Sequence, residues 1–300
     1  CFGCGAHGDV IRFLTEHDGL SFMEAVEILA AEAGMDVPKP DPLQAAREEK
    51  EKDLYDLMDA AAGWFEVQLH KQEHREVLDY LLQRGLAQKT IKTFRIGFAP
   101  SDRQALRGYL KQKGYTDAQM AEAGLIKTSE KSNEPYVFFR ERVMFPVQDR
   151  QGRVIAFGGR ILPDHMRPPD RSDFTPAKYM NSSDTPIFDK GRVLYGIYQA
   201  RHGLKASADA RILITEGYMD AIACHQAGFC GALAPMGTAL TQAQIDGAWA
   251  LAFEDYKEIT LCLDGDEAGR RAAANAVSRI LPLLKPGRSV RFAFLPSGED

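Results

Sequence analysis

The last stretch of the chain alternates between short apolar runs and amphipathic segments, and this alternation restricts the fold more than any other feature. Ile212-Leu213-Ile214-Thr215, Gly231 to Ala234, Ile259 to Leu263 and Val290 to Leu295 read as strands. Met219 to Ala227, Thr241 to Leu251 and Glu267 to Leu284 read as helices between them. Strands separated by helices are not hairpin partners. Each crossover returns the chain parallel to the strand it left, and the helices cover both faces of the sheet. Residues 207–300 are therefore expected to form a mostly parallel α/β unit.

Acidic residues stand where two of these strands end. Glu216-Gly217 follows the first strand, and Asp264-Gly265-Asp266 follows the third. In open α/β sheets the working crevice lies at the carboxyl ends of the strands. Three carboxylates gathered there repel one another unless cations neutralise them, and Mg²⁺ prefers such oxygen ligands. In an extended turn Asp264 and Asp266 fall on one side and can share an ion. The competing reading is structural, because Asp266 also stands where it can cap a helix starting at Glu267.

The region before this unit has a different texture. Ser21 and Glu24 spell a capping box ahead of Phe22, Val26, Leu29 and Ala33, with Gly34 as a stop signal. Val37 to Pro42 is rich in proline and reads as a linker. The charged run Arg47 to Asp53 leads into a helix with an apolar stripe of Leu54, Leu57, Met58, Ala61, Phe65 and Leu69. A shorter helix is expected around Val77, Leu78, Leu81 and Leu82, closed by Gly85. Arg142 to Val147 and Val154 to Phe157 flank the turn Asp149-Arg150-Gln151-Gly152 and read as a β-hairpin. Leu162 to Pro176 is expected to be a surface loop.

Composition bounds the function classes. A length of 300 residues suits two or three small domains, and 45% apolar with 26% charged residues is an ordinary globular balance. No apolar run approaches the roughly 20 residues needed to span a bilayer. The N-terminus carries no signal-peptide pattern, and five cysteines are not spaced as a secreted disulfide framework. A reducing cytoplasmic setting without membrane contact is the expectation. The formal net charge is −5, but residues 138–206 hold twelve Lys/Arg against seven Asp/Glu. That stretch is thus +5 in a chain otherwise at −10. Phosphate binding responds to local potential. A merely solvated basic face is the alternative on charge alone.

At this point the residues resemble a known family. Thr215-Glu216-Gly217-Tyr218-Met219-Asp220, Pro235-Met236-Gly237-Thr238 and Leu263-Asp264-Gly265-Asp266-Glu267-Ala268-Gly269-Arg270 resemble the Toprim domain, in the form found in bacterial DNA primases of the DnaG family. Upstream, Phe139-Arg140-Glu141-Arg142-Val143-Met144-Phe145-Pro146, Phe157-Gly158-Gly159-Arg160, Lys178-Tyr179-Met180-Asn181-Ser182, Asp189-Lys190-Gly191-Arg192 and Leu194-Tyr195-Gly196 look like the primase-specific half of that catalytic core. The likeness covers essentially the whole chain.

The resemblance implies a Toprim-type, Rossmann-like α/β unit after a mixed α+β primase subdomain and a helical linker region. The corresponding boundaries are a zinc-ribbon remnant at 1–37, a linker at 38–52, the primase subdomain at 53–206 and the Toprim subdomain at 207–300. It implies RNA primer synthesis from ribonucleoside triphosphates on single-stranded DNA, with Glu216, Asp264, Asp266 and Asp300 holding Mg²⁺ or Mn²⁺. Arg140, Arg142, Arg160, Lys178 and Lys190 match the basic cleft that takes nucleotide and DNA. The implied partner is a replicative helicase, met through a C-terminal domain, and the implied state is monomeric. One departure is Phe138, where many relatives carry a basic residue. Other Toprim enzymes, nucleases and topoisomerases, cut phosphodiesters with similar acids and remain the alternative, ahead of a non-catalytic DNA-binding module.

Cys1-x-x-Cys4 is half of a zinc site, since tetrahedral structural zinc takes four ligands. The resemblance implies that an upstream Cys and His complete it and that Zn²⁺ binds in the full-length protein, the chain here opening inside that zinc ribbon. His70-Lys71-Gln72-Glu73-His74 fits a metalloprotease spelling but has no third ligand in view, and reads as surface. Cys224, Cys230 and Cys262 read as small core residues.

Overall fold

The computed structural model describes residues 8–17, 22–35, 42–129, 133–167, 176–206, 211–237, 239–252 and 257–296. Cys1, Cys4, the Ser21 cap and Asp300 lie outside the described residues, as does much of the expected loop after Leu162. The chain divides into two compact units, 1–50 and 51–300.

In the first unit α1 (Val10–His17) packs on α2 (Phe22–Glu32). Helix α3 runs from Pro42 to His70, so the helix starts at the proline of the expected linker and takes in the charged run behind it. Proline is compatible with the first turn of a helix, where its missing N–H has no partner to lose. Leu54, Leu57, Met58, Ala61, Phe65 and Leu69 are all buried, as their helical spacing requires. Each contributes roughly 1.5–3 kcal/mol of apolar burial if large, and less for the alanine.

Helices α4 (Arg75–Gln83) and α5 (Gln88–Thr93) lead into β1 (Gly97–Ala99). Then come α6 (Ala105–Gln112), α7 (Asp117–Glu122) and a two-stranded antiparallel ribbon of β2 (Ile126–Thr128) and β3 (Pro135–Val137). The expected hairpin is present as β4 (Arg142–Gln148) and β5 (Val154–Ile161). With β6 (Tyr179–Asn181) they make an antiparallel sheet of order β1-β4-β5-β6. Every residue of β4 is buried, because helices and loops cover both faces of that strand. Gly97 shows how tightly α3 lies on this sheet: a Cβ there would stand 2.5 Å from the Phe65 carbonyl carbon.

After α8 (Ile197–Ala206) the alternating unit follows as read from the sequence. Its elements are β7 (Ile212–Ile214), α9 (Tyr218–Gln226), β8 (Gly231–Leu233), α10 (Gln242–Trp249), β9 (Lys257–Leu263), α11 (Glu267–Ile280) and β10 (Arg288–Phe294). The sheet order is β10-β9-β7-β8, and every pairing is parallel. The chain moves one way from β7 to β8 and back across the sheet to β9 and β10. Right-handed crossovers therefore put α9 on one face and α10 with α11 on the other. The cores agree with this. Ala221 and Ile222 of α9 join the cluster of Phe94, Phe145 and Tyr195. Trp249, Ala273 and Ile280 pack with Ile259, Leu261 and Leu263 on the opposite face. Cys224, Cys230 and Cys262, expected as small core residues, are half-buried. Among the described residues no helix is long and apolar enough to cross a membrane.

Candidate active site

The carboxyl edge of the parallel sheet brings Glu216 and Asp264 together. Glu216 leaves β7 on a turn laced by its own polar groups: the Thr215 hydroxyl donates to the carbonyls of Leu233 and Gly217, both at 3.1 Å. The Gly217 amide donates to the Asp220 carboxylate at 3.0 Å, which closes the first turn of α9. Glu216 Oε1 then accepts the Asp264 amide at 2.9 Å, across from one strand end to the next. Asp266 caps α11, accepting the Gly269 amide at 2.8 Å, so the structural role foreseen for it is real. Gly269 is needed at this point. A side chain there would run into the Asp264 carbonyl, and without one α11 starts directly against the acidic turn. The partial positive charge of a helix N-terminus favours anions beside it.

The three carboxylates share one edge but do not form a ready cage. Among the described residues no group of three or more His, Cys, Asp or Glu side chains is arranged to hold a metal ion. Glu216 and Asp266 are turned onto backbone amides instead. Magnesium suits such an edge all the same. It is a hard cation that takes oxygen donors, and it is commonly held by one or two carboxylates together with water and substrate phosphates. A cleft of about 360 Å³ opens beside Glu216, between Pro235, Leu240 and the Ala272 and Asn275 side of α11.

The antiparallel sheet meets this edge through aromatic rings. Tyr218, two residues past Glu216, packs 4.8 Å from Phe145, 5.5 Å from Tyr195 and edge-on to Tyr179 at 5.5 Å. Burial, and then the neighbouring Tyr179, push the Tyr218 phenol well above its ordinary pKa, against the pull of Arg142 and Arg160. Asn181 donates to the Met236 carbonyl at 3.2 Å. The 190–193 loop docks on the start of α10: Gln244 donates to the Lys190 and Val193 carbonyls at 2.8 and 2.9 Å, and the Thr241 hydroxyl to that of Gly191 at 2.5 Å.

The five basic residues expected to face a ligand divide by burial. Lys178 is exposed, its ammonium 5.8 Å from the Tyr179 ring centre. Arg140 and Lys190 are half-buried. Arg160 is half-buried and donates to the Tyr80 hydroxyl. Burial works against its charge, but Tyr179 and Tyr80 outweigh this and raise its pKa. Arg142 corrects the expectation. It is 3% exposed, and its Nη1 is spent on the carbonyls of Ala177 at 2.8 Å and Lys178 at 3.4 Å. It lies on β4, the strand covered on both sides, so it braces the approach to β6 from within and offers no surface contact.

Asp220, four residues after Glu216, is not among the acids expected from the sequence; it closes the first turn of α9 by accepting the Gly217 amide. His70 and His74 do not share a helix face, because α3 ends at His70 and a separate 3₁₀ turn holds His74. The His74 ring bonds the Gln68 carbonyl at 2.8 Å and packs on Phe98.

With this geometry in place, comparison with known proteins decides the family. Residues 64–201 match the model of the DNA primase catalytic core N-terminal domain, and residues 210–294 match the Toprim domain. Residues 1–45, which contain Cys1 and Cys4, match the CHC2 zinc finger. The crystal structure of a DNA primase domain from Pseudomonas aeruginosa is 41% identical, with a TM-score of 0.71 over 82% of this chain and 72% of that one. The chain belongs to the DnaG-type DNA primase family.

A DnaG primase catalytic domain bound to single-stranded DNA is 38% identical with a TM-score of 0.71, covering 84% of this chain and 76% of that one. Whole DNA primases are similar too. That of Pseudomonas aeruginosa is 41% identical over all of this chain, which spans 43% of the relative's length. An Escherichia coli DNA primase is 40% identical over all of this chain, here 49% of the relative's length. The chain thus spans less than half the length of these curated relatives. The mixed fold, with its four-stranded antiparallel and four-stranded parallel sheets, is that of the primase catalytic cores.

Proposed function

We propose that this chain carries out RNA primer synthesis on single-stranded DNA, as a DNA-directed RNA polymerase. The observation that carries the reading is the hydrogen bond that the Asp264 amide donates to the Glu216 carboxylate at the carboxyl edge of the parallel sheet, two residues from Tyr218, which packs against Tyr179 of β6 next to Lys178. Acidic and basic groups thereby flank one place, which suits a reaction that brings a triphosphate to a hydroxyl.

Each group has a part in the proposal. Glu216, Asp264 and Asp266 are the residues that would hold Mg²⁺ or Mn²⁺, with Asp300 as a further ligand. Divalent ions bound there would lower the pKa of the attacking 3′-hydroxyl and neutralise the leaving pyrophosphate. Lys178, Lys190 and Arg160 attract the triphosphate and the template by charge. The Tyr80 hydroxyl, accepting from its guanidinium, holds Arg160 in place. Arg140 extends the positive surface. The template is held through its backbone and read by pairing.

For the whole protein, zinc held by Cys1 and Cys4 with two further ligands, a replicative helicase as partner, a monomeric state and a cytoplasmic location complete the proposal. These rest on family membership. The test is incubation of the full-length protein with single-stranded template, labelled ribonucleotides and Mg²⁺. Short RNA made by the wild type and lost in Asp264→Ala supports the reading. Cleavage of the template with no RNA product would favour a Toprim nuclease.

A further inference from the structure

The cleft beside Glu216 has walls that the proposed chemistry does not use. It encloses about 360 Å³, within the ~300–1,000 Å³ range of small-molecule sites. Its shape follows from α11. Ala268, Ala272 and Ala276 stand at four-residue spacing and so share a helix face, which looks onto Ile214 of β7 and Leu261 and Leu263 of β9. Each alanine contributes only a methyl group, and the gap between helix and sheet stays open. Pro235 and Leu240 close a third side. Two hydrogen bonds frame the hollow. The Asp264 amide donates to Glu216 at one end, and Arg279 Nη1 donates to the Leu240 carbonyl at 2.9 Å at the other.

The hollow is polarised along its length. Glu216 stands at the end where α11 begins. Arg271, Asn275 and Arg279 form the neighbouring row of α11 and carry positive charge toward the end where the helix finishes. Arg271 is paired with Glu267 at 2.7 Å, whereas Arg279 bonds a carbonyl and has further N–H donors to offer an anion. From Ala268 to Arg279 the helix rises about 16 Å, at about 1.5 Å per residue. Among the described residues no aromatic ring lines the hollow, so a planar base finds nothing there to stack on. The walls are aliphatic, and they suit an aliphatic chain taken out of water.

We propose that this hollow binds an amphipathic anion of the medium-chain carboxylate class, headgroup at Arg279 and unbranched tail toward Glu216, and that the bound tail slows the chemistry there. The reverse orientation would set two carboxylates side by side at Glu216. The inhibition has its cause in hydration. Mg²⁺ gives up its waters reluctantly, so an aliphatic tail against Glu216 disfavours the hydrated ion at that carboxylate. The inhibitory part rests on the reading of Glu216 as a metal ligand, and the binding part does not.

The test uses full-length protein and isothermal titration with hexanoate, octanoate and decanoate, each below its micelle concentration. Affinity should rise about three- to fourfold per added methylene, the worth of burying one. Octylammonium, of opposite charge, should bind about tenfold more weakly than octanoate. Arg279→Gln should weaken every carboxylate about two- to fivefold and keep the increment per methylene. Ala272→Leu puts a side chain where the tail lies and should cost about tenfold or more. Ala268→Leu, at an exposed position of the same row, replaces it if thermal unfolding shows that Ala272→Leu does not fold. At limiting Mg²⁺, decanoate should lower primer synthesis in the wild type and much less in the filled variant, each against its own uninhibited rate. Absence of binding, or affinity that grows with chain length yet ignores both filling substitutions, would overturn the site. Binding blocked by Ala272→Leu with undiminished synthesis would overturn the inhibition. Full synthesis by Glu216→Gln without any carboxylate would instead overturn the proposed function, while length-dependent binding blocked by Ala272→Leu still upholds the site.

Discussion

In the parallel sheet the candidate residues stand on turns just past the strand ends, whereas in the antiparallel sheet they stand on the strands and the loops between them. The difference matters for how a residue's role is set. At a strand end, position in the chain already decides that a side chain reaches the common crevice, and Glu216 and Asp264 meet there as expected. Along a strand, the role depends on what covers each face. Arg142 and Lys178 are both basic residues of the same sheet region. One is braced inside the protein by three carbonyls, and the other is open to solvent.

The largest expected effect tests the strand-end half of this comparison. Asp264→Ala or Glu216→Gln should lower nucleotide transfer by roughly 100-fold or more, the scale of losing charge stabilisation at a reacting phosphate. The circular dichroism spectrum should not change. Near-normal synthesis at saturating Mg²⁺ would break the view that the turns carry the chemistry.

Arg142 and Lys178 test the other half. Arg142→Met should cost about 2–4 kcal/mol in urea unfolding, since it strands the Ala177 carbonyl and removes charge-assisted bonds. Lys178→Met should stay within about 0.5 kcal/mol of wild type, yet weaken single-stranded DNA binding several-fold. Equal stability losses in the two variants would erase the distinction between them.

A smaller effect concerns the seam where α9 meets the rest of the fold. Burial lowers the pKa of His225, whose ring lies 5.1 Å from Phe94. The folded protein therefore binds fewer protons than the unfolded chain between the lowered value and the ordinary value of about 6.5. The His225 contribution is complete above pH ~6.5 and is lost as pH falls through that window. His225→Gln should flatten the loss of stability between about pH 6.5 and 5, measured as Tm against pH, relative to wild type. Parallel profiles for the two proteins would remove His225 from the account.

The smallest effect is at Tyr195. Its ring is buried and stacked on Phe94 at 5.9 Å, and its hydroxyl has no hydrogen-bond partner among the described residues. Tyr195→Phe removes an unsatisfied group and keeps the ring. It should be neutral or stabilising by up to about 1 kcal/mol in chemical denaturation. A clear destabilisation would show that the hydroxyl has a partner in solution, such as an ordered water.

Period and punctuation along the chain determined a great deal here. The stripe from Leu54 to Leu69, the β4–β5 hairpin and the strand–helix series after residue 211 all formed where their local patterns place them. The acids followed, because the end of a strand is itself a local feature. Packing decided the rest. Pro42 to Asp53 became part of a helix, although prolines and charge suggested a break. Arg160 found Tyr80, 80 residues away, and Gln226 found Gly85 and Ala87 across the fold, with no signal in either segment. Arg142 reads in sequence like any other basic residue beside a glycine-rich strand. Its burial depends on elements that arrive from both sides of β4. Hydrophobic periodicity is a property of neighbours in sequence. The coverage of a strand, and so the fate of a charge upon it, is a property of neighbours in space.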